Sequence, residues 1–432
     1  MTTNTIAQAR QSSLVPMSIV AMLFFILGFA TWLNGSLMPY LKQVLALSPF
    51  QASLILFSFY IAVTFTAIPS AWLIRKVGYK KGMALGMAAM MLAGLLFIPA
   101  AKTQIFALFL FAQLVMGAGQ TLLQTAVNPY VVRIGPEQSA AVRVCVMGIL
   151  NKGAGVVAPI VFSALIVDSF KHTVGQTLTP ELINEMANSL VLPYLGMAVF
   201  IGILAFAVLK SPLPELPQEE DVEQGSSTSL VKQALAHKPL AFGVVAIFVY
   251  VAVEVIAADT IGTFALSLGI ENYAVMTSYT MVCMVLGYIL GILTIPRFIS
   301  QPDALKISAI LGLLLTLAVC LGNNDSFAIA DTLLVPFGGA RLPDTLLCIA
   351  FLGLANAIVW PAVWPLALSG LGKLTSTGSA LLVMGIAGGA FGPLFWGLIS
   401  GTSLGQQGGY IVMLPCYAFI LFYAIKGHKA SS

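Results

Sequence analysis

The sequence predicts an all-α membrane protein whose twelve transmembrane helices form two pseudo-symmetric six-helix bundles. The residues are 59% hydrophobic and only 8% charged, whereas soluble domains carry roughly 25% charged residues. Twelve apolar segments are long enough to cross the hydrocarbon core, which takes about 20 helical residues. A polar stretch near the middle of the chain separates the first six segments from the last six. The predicted segments are 15–40, 50–73, 82–100, 104–132, 142–167, 190–210, 239–267, 275–296, 305–322, 345–369, 378–400 and 408–426.

The distribution of Lys and Arg predicts the orientation of the chain, because cytoplasmic loops carry an excess of both. When successive loops are assigned alternately to two sides, one side has 15 of these residues and the other has 4. We therefore expect both termini in the cytoplasm. The net charge of +4 reflects this topology, so we expect a lipid bilayer as surroundings and no nucleic-acid partner. The richer side has Arg10, Arg75, Lys76, Lys80, Lys81, Arg133, Arg143, Lys210, Lys232, Lys238, Arg297, Lys306, Lys373, Lys426 and Lys429; the other has Lys42, Lys102, Lys171 and Arg341.

A change of composition predicts the domain organisation. Residues 211–236 are polar, acidic and rich in proline, which indicates a flexible cytoplasmic linker. We predict an N-terminal bundle at 1–210, a linker at 211–238 and a C-terminal bundle at 239–432. Span four also resembles span ten at a constant offset of 236 residues, and repeated bundles with a site between them are typical of alternating-access transporters. The matched positions are Gly117 and Gly353, Gln120 and Asn356, Gln124 and Trp360, Asn128 and Trp364, and Pro129 and Pro365.

Span four has a stripe of neutral amides on one face of the predicted helix, since its polar residues recur every three or four positions. Amides donate and accept hydrogen bonds without carrying a charge, which favours a cavity for a polyhydroxylated ligand. Hydrogen bonding between helices is the structural alternative. We predict that Gln120, Gln124 and Asn128 bind the substrate. The full stripe is Gln113, Gly117, Gln120, Gln124 and Asn128.

Span ten joins an amide, Asn356, to two tryptophans one turn apart, Trp360 and Trp364. Tryptophan faces stack on the C–H surfaces of sugars and the indole N–H donates a hydrogen bond. Pro361 and Pro365 interrupt helix hydrogen bonds, which suits a segment that lines a cavity. We predict that the amide and both tryptophans contact the substrate. Membership of an interfacial aromatic belt is the alternative for the tryptophans.

Two further polar sites lie within spans of the first half. Asn34 lies midway along span one, where it could bind substrate or pack against another helix. Asn151 and Lys152 are adjacent in span five. We predict that Asn151 contacts the substrate. A lysine in mid-membrane normally pairs or titrates, so we predict a role in cation coupling for Lys152, with a structural ion pair as the alternative.

Two acidic residues, Glu254 and Asp259, lie within the apolar run of span seven. Such groups are costly in a bilayer and mark functional sites. Burial favours the protonated carboxyl group, which would allow proton binding, whereas a fixed carboxylate could hold sodium or accept a hydrogen bond from a sugar hydroxyl. Five residues separate the two by about 140° on a helix, so we expect one to face the cavity. We predict both as cation-coupling residues and Glu254 as the substrate contact; a structural charge pair is the alternative.

Several motifs resemble one transporter family across essentially the whole chain. They are Trp32-Leu-Asn34-Gly-Ser-Leu-Met-Pro39, Leu123-Gln124-Thr-Ala-Val-Asn128-Pro129-Tyr130, Ile134-Gly-Pro136-Glu137 and Asn151-Lys-Gly-Ala-Gly. The chain resembles the fucose–galactose–glucose permease family of the major facilitator superfamily, particularly its bacterial glucose/galactose and N-acetylglucosamine permease branches. The resemblance implies the major facilitator fold and a cation-coupled monosaccharide importer of the bacterial inner membrane, with helices one, four, seven and ten lining the cavity.

Departures at four positions limit the resemblance. The segment from Ser70 to Lys81 resembles the superfamily's loop between helices two and three, but Ser70 and Ile74 replace its usual Gly and Asp. The fucose permeases have an Asp after the span-one Asn and a Glu in the span-four motif, both implicated in proton coupling. Gly35 and Gln124 stand at those positions here, so that proton mechanism does not transfer directly and fucose is a less favoured substrate.

The sequence thus predicts a secondary active transporter for a neutral hexose of the glucose/galactose or N-acetylglucosamine type. We expect cation symport with Na⁺ or H⁺, no cofactor, no certain metal site and function as a monomer. A facilitative sugar uniporter and a multidrug/proton antiporter are the alternatives. We expect no enzyme activity, because His172, His237 and His428 all lie in loops or at the terminus, away from any site within the spans.

Overall fold

The computed structural model describes residues 3–133, 140–216, 227–295 and 297–430. Within these ranges, twelve helical segments are long and apolar enough to cross a membrane, so the predicted count is confirmed. Span six begins ten residues before its predicted start, because a short helix precedes it. The segments are Val15–Val44, Pro49–Val77, Tyr79–Thr103, Phe106–Val131, Val146–Leu165, Pro180–Lys210, Lys238–Asp259, Tyr273–Thr294, Gln301–Leu321, Asp344–Leu368, Thr377–Ser400 and Gly405–Lys429, numbered here as spans one to twelve.

Several spans consist of two helices with a break between them. Span one is built from Thr3–Trp32 and Asn34–Val44, span six from Pro180–Ser189 and Val191–Lys210, and span ten from Asp344–Ala357 and Val359–Leu368. Lys238–Asp259 of span seven continues after Thr260 as Ile261–Ser267. In span eleven the 3₁₀ turn Gly385–Ala387 joins Thr375–Met384 to Gly388–Ser400, and in span twelve Tyr410–Val412 joins Gly405–Gly409 to Met413–Ile425.

Two of the breaks have a local cause in the sequence. In span ten, Pro361 has no N–H to donate to the carbonyl of Ala357, four residues earlier, and the first helix ends at that residue. In span seven, Thr260 Oγ1 donates to the carbonyl of Ile256 at 2.6 Å, a contact that competes with the backbone ladder and bends helices. The proline break was predicted, whereas the threonine break was not.

The segment between spans two and three is shorter than predicted. Helix Pro49–Val77 and helix Tyr79–Thr103 are joined by Gly78 alone, which has a φ of 87°, a conformation that glycine adopts at little cost. Glu215 Oε1 accepts a hydrogen bond from the N–H of Tyr79 at 2.6 Å, so it caps the start of span three. Lys80 Nζ donates to the carbonyl of Ser211 at 2.6 Å.

The predicted flexible linker is partly helical, because Ser227–Ala236 forms a helix. Its first residues, 211–216, are held to span three by the contacts of Glu215 and Lys80. Residues 217–226 lie outside the described ranges, as does the quoted motif Ile134-Gly-Pro136-Glu137. The boundaries of the two predicted bundles stay a prediction.

Backbone contacts group the chain into two compact units that do not follow its order. The first unit comprises Met1–Leu33, Ile61–Ala158 and Leu178–Val222. Close packing of spans three, four and six forms much of it. The second unit comprises Asn34–Tyr60, Pro159–Thr177 and Glu223–Ser432. There, helix Asn34–Val44 packs against Ile261–Ser267 and against the 3₁₀ turn Tyr273–Val275.

Candidate functional site

Glu254 lies in a buried group of tyrosines within the second unit. Helix Lys238–Asp259 positions it, and only 7% of the residue is exposed. Tyr250, one turn earlier on the same face, shares a side-chain hydrogen bond with it. Tyr417 of span twelve is within electrostatic reach of both residues, and Tyr288 of span eight is within reach of Tyr250. The buried carboxyl group therefore lies near tyrosine hydroxyls in a region of low dielectric constant, where each polar contact is strengthened.

Asn356 is attached to this group through Tyr417. It is fully buried and lies in the last turn of helix Asp344–Ala357, next to the proline break. Tyr417 Oη donates a hydrogen bond to Asn356 Oδ1 at 2.7 Å. Asn356 Nδ2 is buried and has no hydrogen-bond partner among the described residues. The amide thus has its acceptor satisfied and a donor available for a ligand.

Trp360 and Trp364 form an aromatic wall beside the same group. Their ring centroids are 5.5 Å apart with an interplanar angle of 44°, and the Trp360 ring is 6.2 Å from that of Tyr250. Both tryptophans are half-buried. Trp364 Nε1 has no hydrogen-bond partner among the described residues. The wall offers flat apolar faces together with a donor, the combination by which aromatic residues bind sugars. We call Tyr250, Glu254, Asn356, Trp360, Trp364 and Tyr417 the carboxyl cluster.

The first unit has a second polar group on span four. Gln120 is buried, and its Nε2 donates to Thr31 Oγ1 of span one at 2.5 Å. Gln120 Oε1 has no hydrogen-bond partner within the described part of the chain. Gln124 is half-buried and Asn128 is exposed, so the predicted stripe becomes more accessible along the span.

Asn151 and Lys152 of span five contact Trp32 of span one. Trp32 Nε1 donates to Asn151 Oδ1 at 3.4 Å, and Asn151 Nδ2 donates to the carbonyl of Phe24 at 3.4 Å. These distances are long for N–H···O bonds. Lys152 is buried, and its Nζ lies 4.2 Å from the centroid of the Trp32 ring, a cation–π contact. We call Thr31, Trp32, Gln120, Asn151 and Lys152 the amide cluster.

Helix Thr3–Trp32 of span one and the helix of span five approach each other closely at Gly28. A Cβ atom at Gly28 would overlap the backbone carbonyl of Asn151, so only glycine fits this crossing. The approach places Asn151 and Lys152 against span one and explains their contacts with Trp32.

Asp259 and Asn34 lie at another crossing, within the second unit. Asp259 is fully buried, and Asn34 is 3% exposed. A Cβ atom at Gly35 would overlap Thr277 Oγ1 and lie 2.9 Å from Asp259 Oδ1. Ser36 Oγ donates to the carbonyl of Ala274 at 2.5 Å. Here the absence of a side chain at position 35 leaves room for the carboxyl group of span seven.

The two acidic residues of span seven therefore have different surroundings. Both lie in the regular helix Lys238–Asp259, so the expected separation of about 140° applies. Glu254 bonds to Tyr250 within the carboxyl cluster, whereas Asp259 packs against Gly35. Tyr60 is within electrostatic reach of both.

Sequence reasoning missed three residues that hold the predicted ones in place. Tyr250 could have been found, because it lies one helical turn before Glu254 and therefore on the same face. Tyr417 and Thr31 are distant in the sequence from Asn356 and Gln120, and no sequence pattern connects them.

Ion pairs outside the spans show ordinary surface electrostatics. Lys171 Nζ lies 2.9 Å from Asp168 Oδ1, and its hydrogen bond lowers the pKa of that carboxyl group. Arg341 donates to both carboxylate oxygens of Asp331 at 2.7 and 2.9 Å, which lowers the pKa of Asp331. Within the described residues, no group of three or more His, Cys, Asp and Glu side chains is arranged to hold a metal ion.

Comparisons with known proteins support one family. The model of the Major Facilitator Superfamily matches residues 20–393. The chain is 31% identical over 423 residues to the glucose/galactose transporter of Brucella abortus biovar 1 (strain 9-941), covering 95% of this chain and 93% of that protein. It is 28% identical over 431 residues to the L-fucose-proton symporter of Escherichia coli (strain K12), covering 96% of this chain and 93% of that protein.

The fold also matches a solved structure of the same superfamily. The crystal structure of the transporter FucP in the outward conformation aligns with a TM-score of 0.68 and 26% sequence identity, over 96% of this chain and 98% of that one. The predicted resemblance, the predicted fold class and the expectation of a transporter rather than an enzyme are confirmed by these matches. The chain is a multi-pass membrane protein of the Major Facilitator Superfamily.

Proposed function

We propose that the protein is a proton-coupled symporter that imports a neutral hexose or amino-hexose. The observation that carries the proposal is the carboxyl cluster, in which the buried Glu254 and the amide of Asn356 lie in one connected group with the Trp360 ring. An acceptor, a donor and a flat apolar face are the elements by which a protein binds a sugar ring. The names of the relatives support the class of substrate: glucose/galactose in one, fucose in another.

Coupling to protons is favoured over coupling to sodium for two reasons. One relative is named as a proton symporter, and the hydroxyls of Tyr250 and Tyr417 lie near Glu254. Sodium is usually held by several oxygen ligands, of which carboxylates and carbonyls are the commonest for hard cations. A carboxyl group that donates or accepts hydrogen bonds among hydroxyls can instead bind and release a proton as the site fills and empties.

The remaining predicted contacts keep their assigned roles. Gln120, Gln124, Asn128 and Asn151 would hydrogen-bond hydroxyls of the sugar, and Asn34 is a further candidate. Lys152 and Asp259 are candidate coupling residues beside Glu254. The excess of Lys and Arg on one side supports a cytoplasmic location for both termini, the bacterial relatives support the inner membrane, and the repeated halves support alternating access.

The test is transport by the purified protein in proteoliposomes. We expect uptake of a hexose against its gradient when a pH gradient is imposed, and no accumulation with a sodium gradient alone. The substrate panel is glucose, galactose, mannose, fructose and N-acetylglucosamine. The variant Glu254→Gln keeps the shape of the side chain but cannot ionise, so accumulation should be lost while counterflow, which needs no net proton movement, persists.

The control is Glu271→Gln, which makes the same change at an exposed position and should leave both activities unchanged. Accumulation by Glu254→Gln at the parental level would remove Glu254 from the coupling role. Counterflow without accumulation in the parent protein would indicate a uniporter. Drug-dependent proton flux without sugar exchange would indicate a multidrug antiporter.

A further inference from the structure

Span twelve has one hydroxyl group that reaches the carboxyl cluster. Tyr417 lies in helix Met413–Ile425 and is fully buried. Its Oη donates to Asn356 Oδ1 at 2.7 Å, across 61 positions of sequence. Span twelve is not one of the helices expected to line the cavity, so the contact comes from behind the site.

In this structure the hydrogen bond leaves the nitrogen end of the Asn356 amide available. A side-chain amide has one acceptor oxygen and one donor nitrogen. Tyr417 occupies the oxygen, and Nδ2 is left buried with no hydrogen-bond partner among the described residues. Buried donors are almost always satisfied, so Nδ2 is expected to bond to a group that enters the site.

The other neighbours of Tyr417 link this donor to the rest of the cluster. Tyr417 is within electrostatic reach of Glu254 and of Tyr250, and the Tyr250 ring lies 6.2 Å from that of Trp360. The donor on Asn356 and the acceptor on Glu254 therefore belong to one connected group. A ligand that bonds to both groups would offer an acceptor oxygen and a donor hydroxyl next to an apolar face.

We propose that Tyr417 is a positioning residue that makes Asn356 a donor toward one particular oxygen of the sugar, and so sets the selectivity of the transporter at that hydroxyl. The inference rests on the proposed sugar transport. It adds that recognition at this position depends on a residue that does not touch the sugar. Without the tyrosine hydroxyl, the amide can turn over and present either its oxygen or its nitrogen.

The expected consequence for binding is specific to one position of the sugar ring. A sugar that lacks the contacted oxygen leaves Nδ2 unsatisfied, and a site built to bond a hydroxyl strongly rejects the analogue without it. The wild-type protein should therefore discriminate against one monodeoxy sugar in particular. In Tyr417→Phe this discrimination should fall by about 5- to 30-fold, the factor that corresponds to one or two kcal/mol, while discrimination at the other positions is retained.

The experiment measures counterflow KM and kcat for the preferred hexose and for each of its monodeoxy analogues. The variants are Tyr417→Phe and the control Tyr423→Phe. Tyr423 lies on the same helix and is equally buried, but its hydroxyl donates to the backbone carbonyl of Pro239 at 3.3 Å. The control should retain the parental selectivity at every position.

Selective loss at one hydroxyl supports the proposal, whereas a uniform change of KM for all sugars, or no change, overturns it. If Tyr417→Phe gives no active protein, the variant Asn356→Asp tests the proposal instead. It replaces Nδ2 with an oxygen and should abolish the same discrimination. Unchanged discrimination in that variant overturns the proposal. Failure of the parent protein to exchange any hexose would instead contradict the proposed function, so the two failures are distinguishable.

Discussion

The amide cluster and the carboxyl cluster hold their polar groups in different ways. In the amide cluster, Gln120 donates to Thr31 at 2.5 Å, Asn151 makes two hydrogen bonds of 3.4 Å, and the ammonium group of Lys152 lies over the Trp32 ring. In the carboxyl cluster, a buried tyrosine hydroxyl bonds to Glu254 and another bonds at 2.7 Å to Asn356. Short bonds to buried, stiff side chains fix orientation better than long bonds and ring contacts do.

The difference indicates that the two clusters contribute unequally to selectivity. A firmly held amide can select one arrangement of hydroxyls, whereas a loosely held amide such as that of Asn151 can bond to several. Under the proposed sugar transport, we therefore expect the carboxyl cluster to contribute more to selectivity than the amide cluster does.

The largest effect is expected at the crossing of the amide cluster. In Gly28→Ala the new methyl group would overlap the backbone carbonyl of Asn151. One of the two helices would have to shift to remove this overlap. Overpacking of this kind typically costs about 1–3 kcal/mol. We expect a lower thermal midpoint in detergent and loss of transport. Gly148→Ala is the control, since a Cβ atom there meets nothing within 4 Å; equal effects of the two variants would contradict the assignment of a backbone crossing.

A smaller and reversible effect is expected at the crossing beside Asp259. In Gly35→Ala the methyl group would meet the side chains of Thr277 and Asp259 first, with the backbone carbonyl of Ala258 at 3.1 Å. Removing the nearest of these atoms in the double variant Gly35→Ala/Thr277→Ala should therefore restore much of the transport rate. Rates of the single and double variants, measured by counterflow, test this. The idea of a side-chain-limited crossing fails if the second substitution brings no recovery while Thr277→Ala alone is active.

The sequence alone was sufficient to predict the fold and to identify residues that differ from the apolar helical pattern around them. Twelve spans could be read from hydropathy, because in lipid the backbone must satisfy its own hydrogen bonds and long apolar helices are the result. Glu254 stood out as a charge within an apolar run, and Pro361 as a missing donor within a helix. Each of these signals is local, so neighbouring residues alone reveal it.

What remained hidden depends on contacts between distant segments. Tyr417 is an ordinary tyrosine in an apolar helix, and only the tertiary structure brings its hydroxyl to Asn356. Thr260 could have been recognised as a bend only if its hydroxyl were known to bond to Ile256. The assignment of Asp259 to the crossing with Gly35, separate from Glu254, also required the tertiary structure, since periodicity gives the angle between two side chains but not what each one faces.

The smallest effect is expected from the hydrogen bond that holds Gln120. Thr31→Val removes the acceptor for Gln120 Nε2 and keeps the shape of the side chain. A typical net contribution of a hydrogen bond is about 0.5–1.5 kcal/mol, and the released Gln120 Nε2 can regain part of it from the sugar. We therefore expect KM to rise by about 2- to 5-fold for the preferred hexose and for all its monodeoxy analogues alike. If Thr31→Val instead changed discrimination at a single hydroxyl, as expected for Tyr417→Phe, then the amide cluster would also determine selectivity and the proposed contrast between the clusters would be wrong.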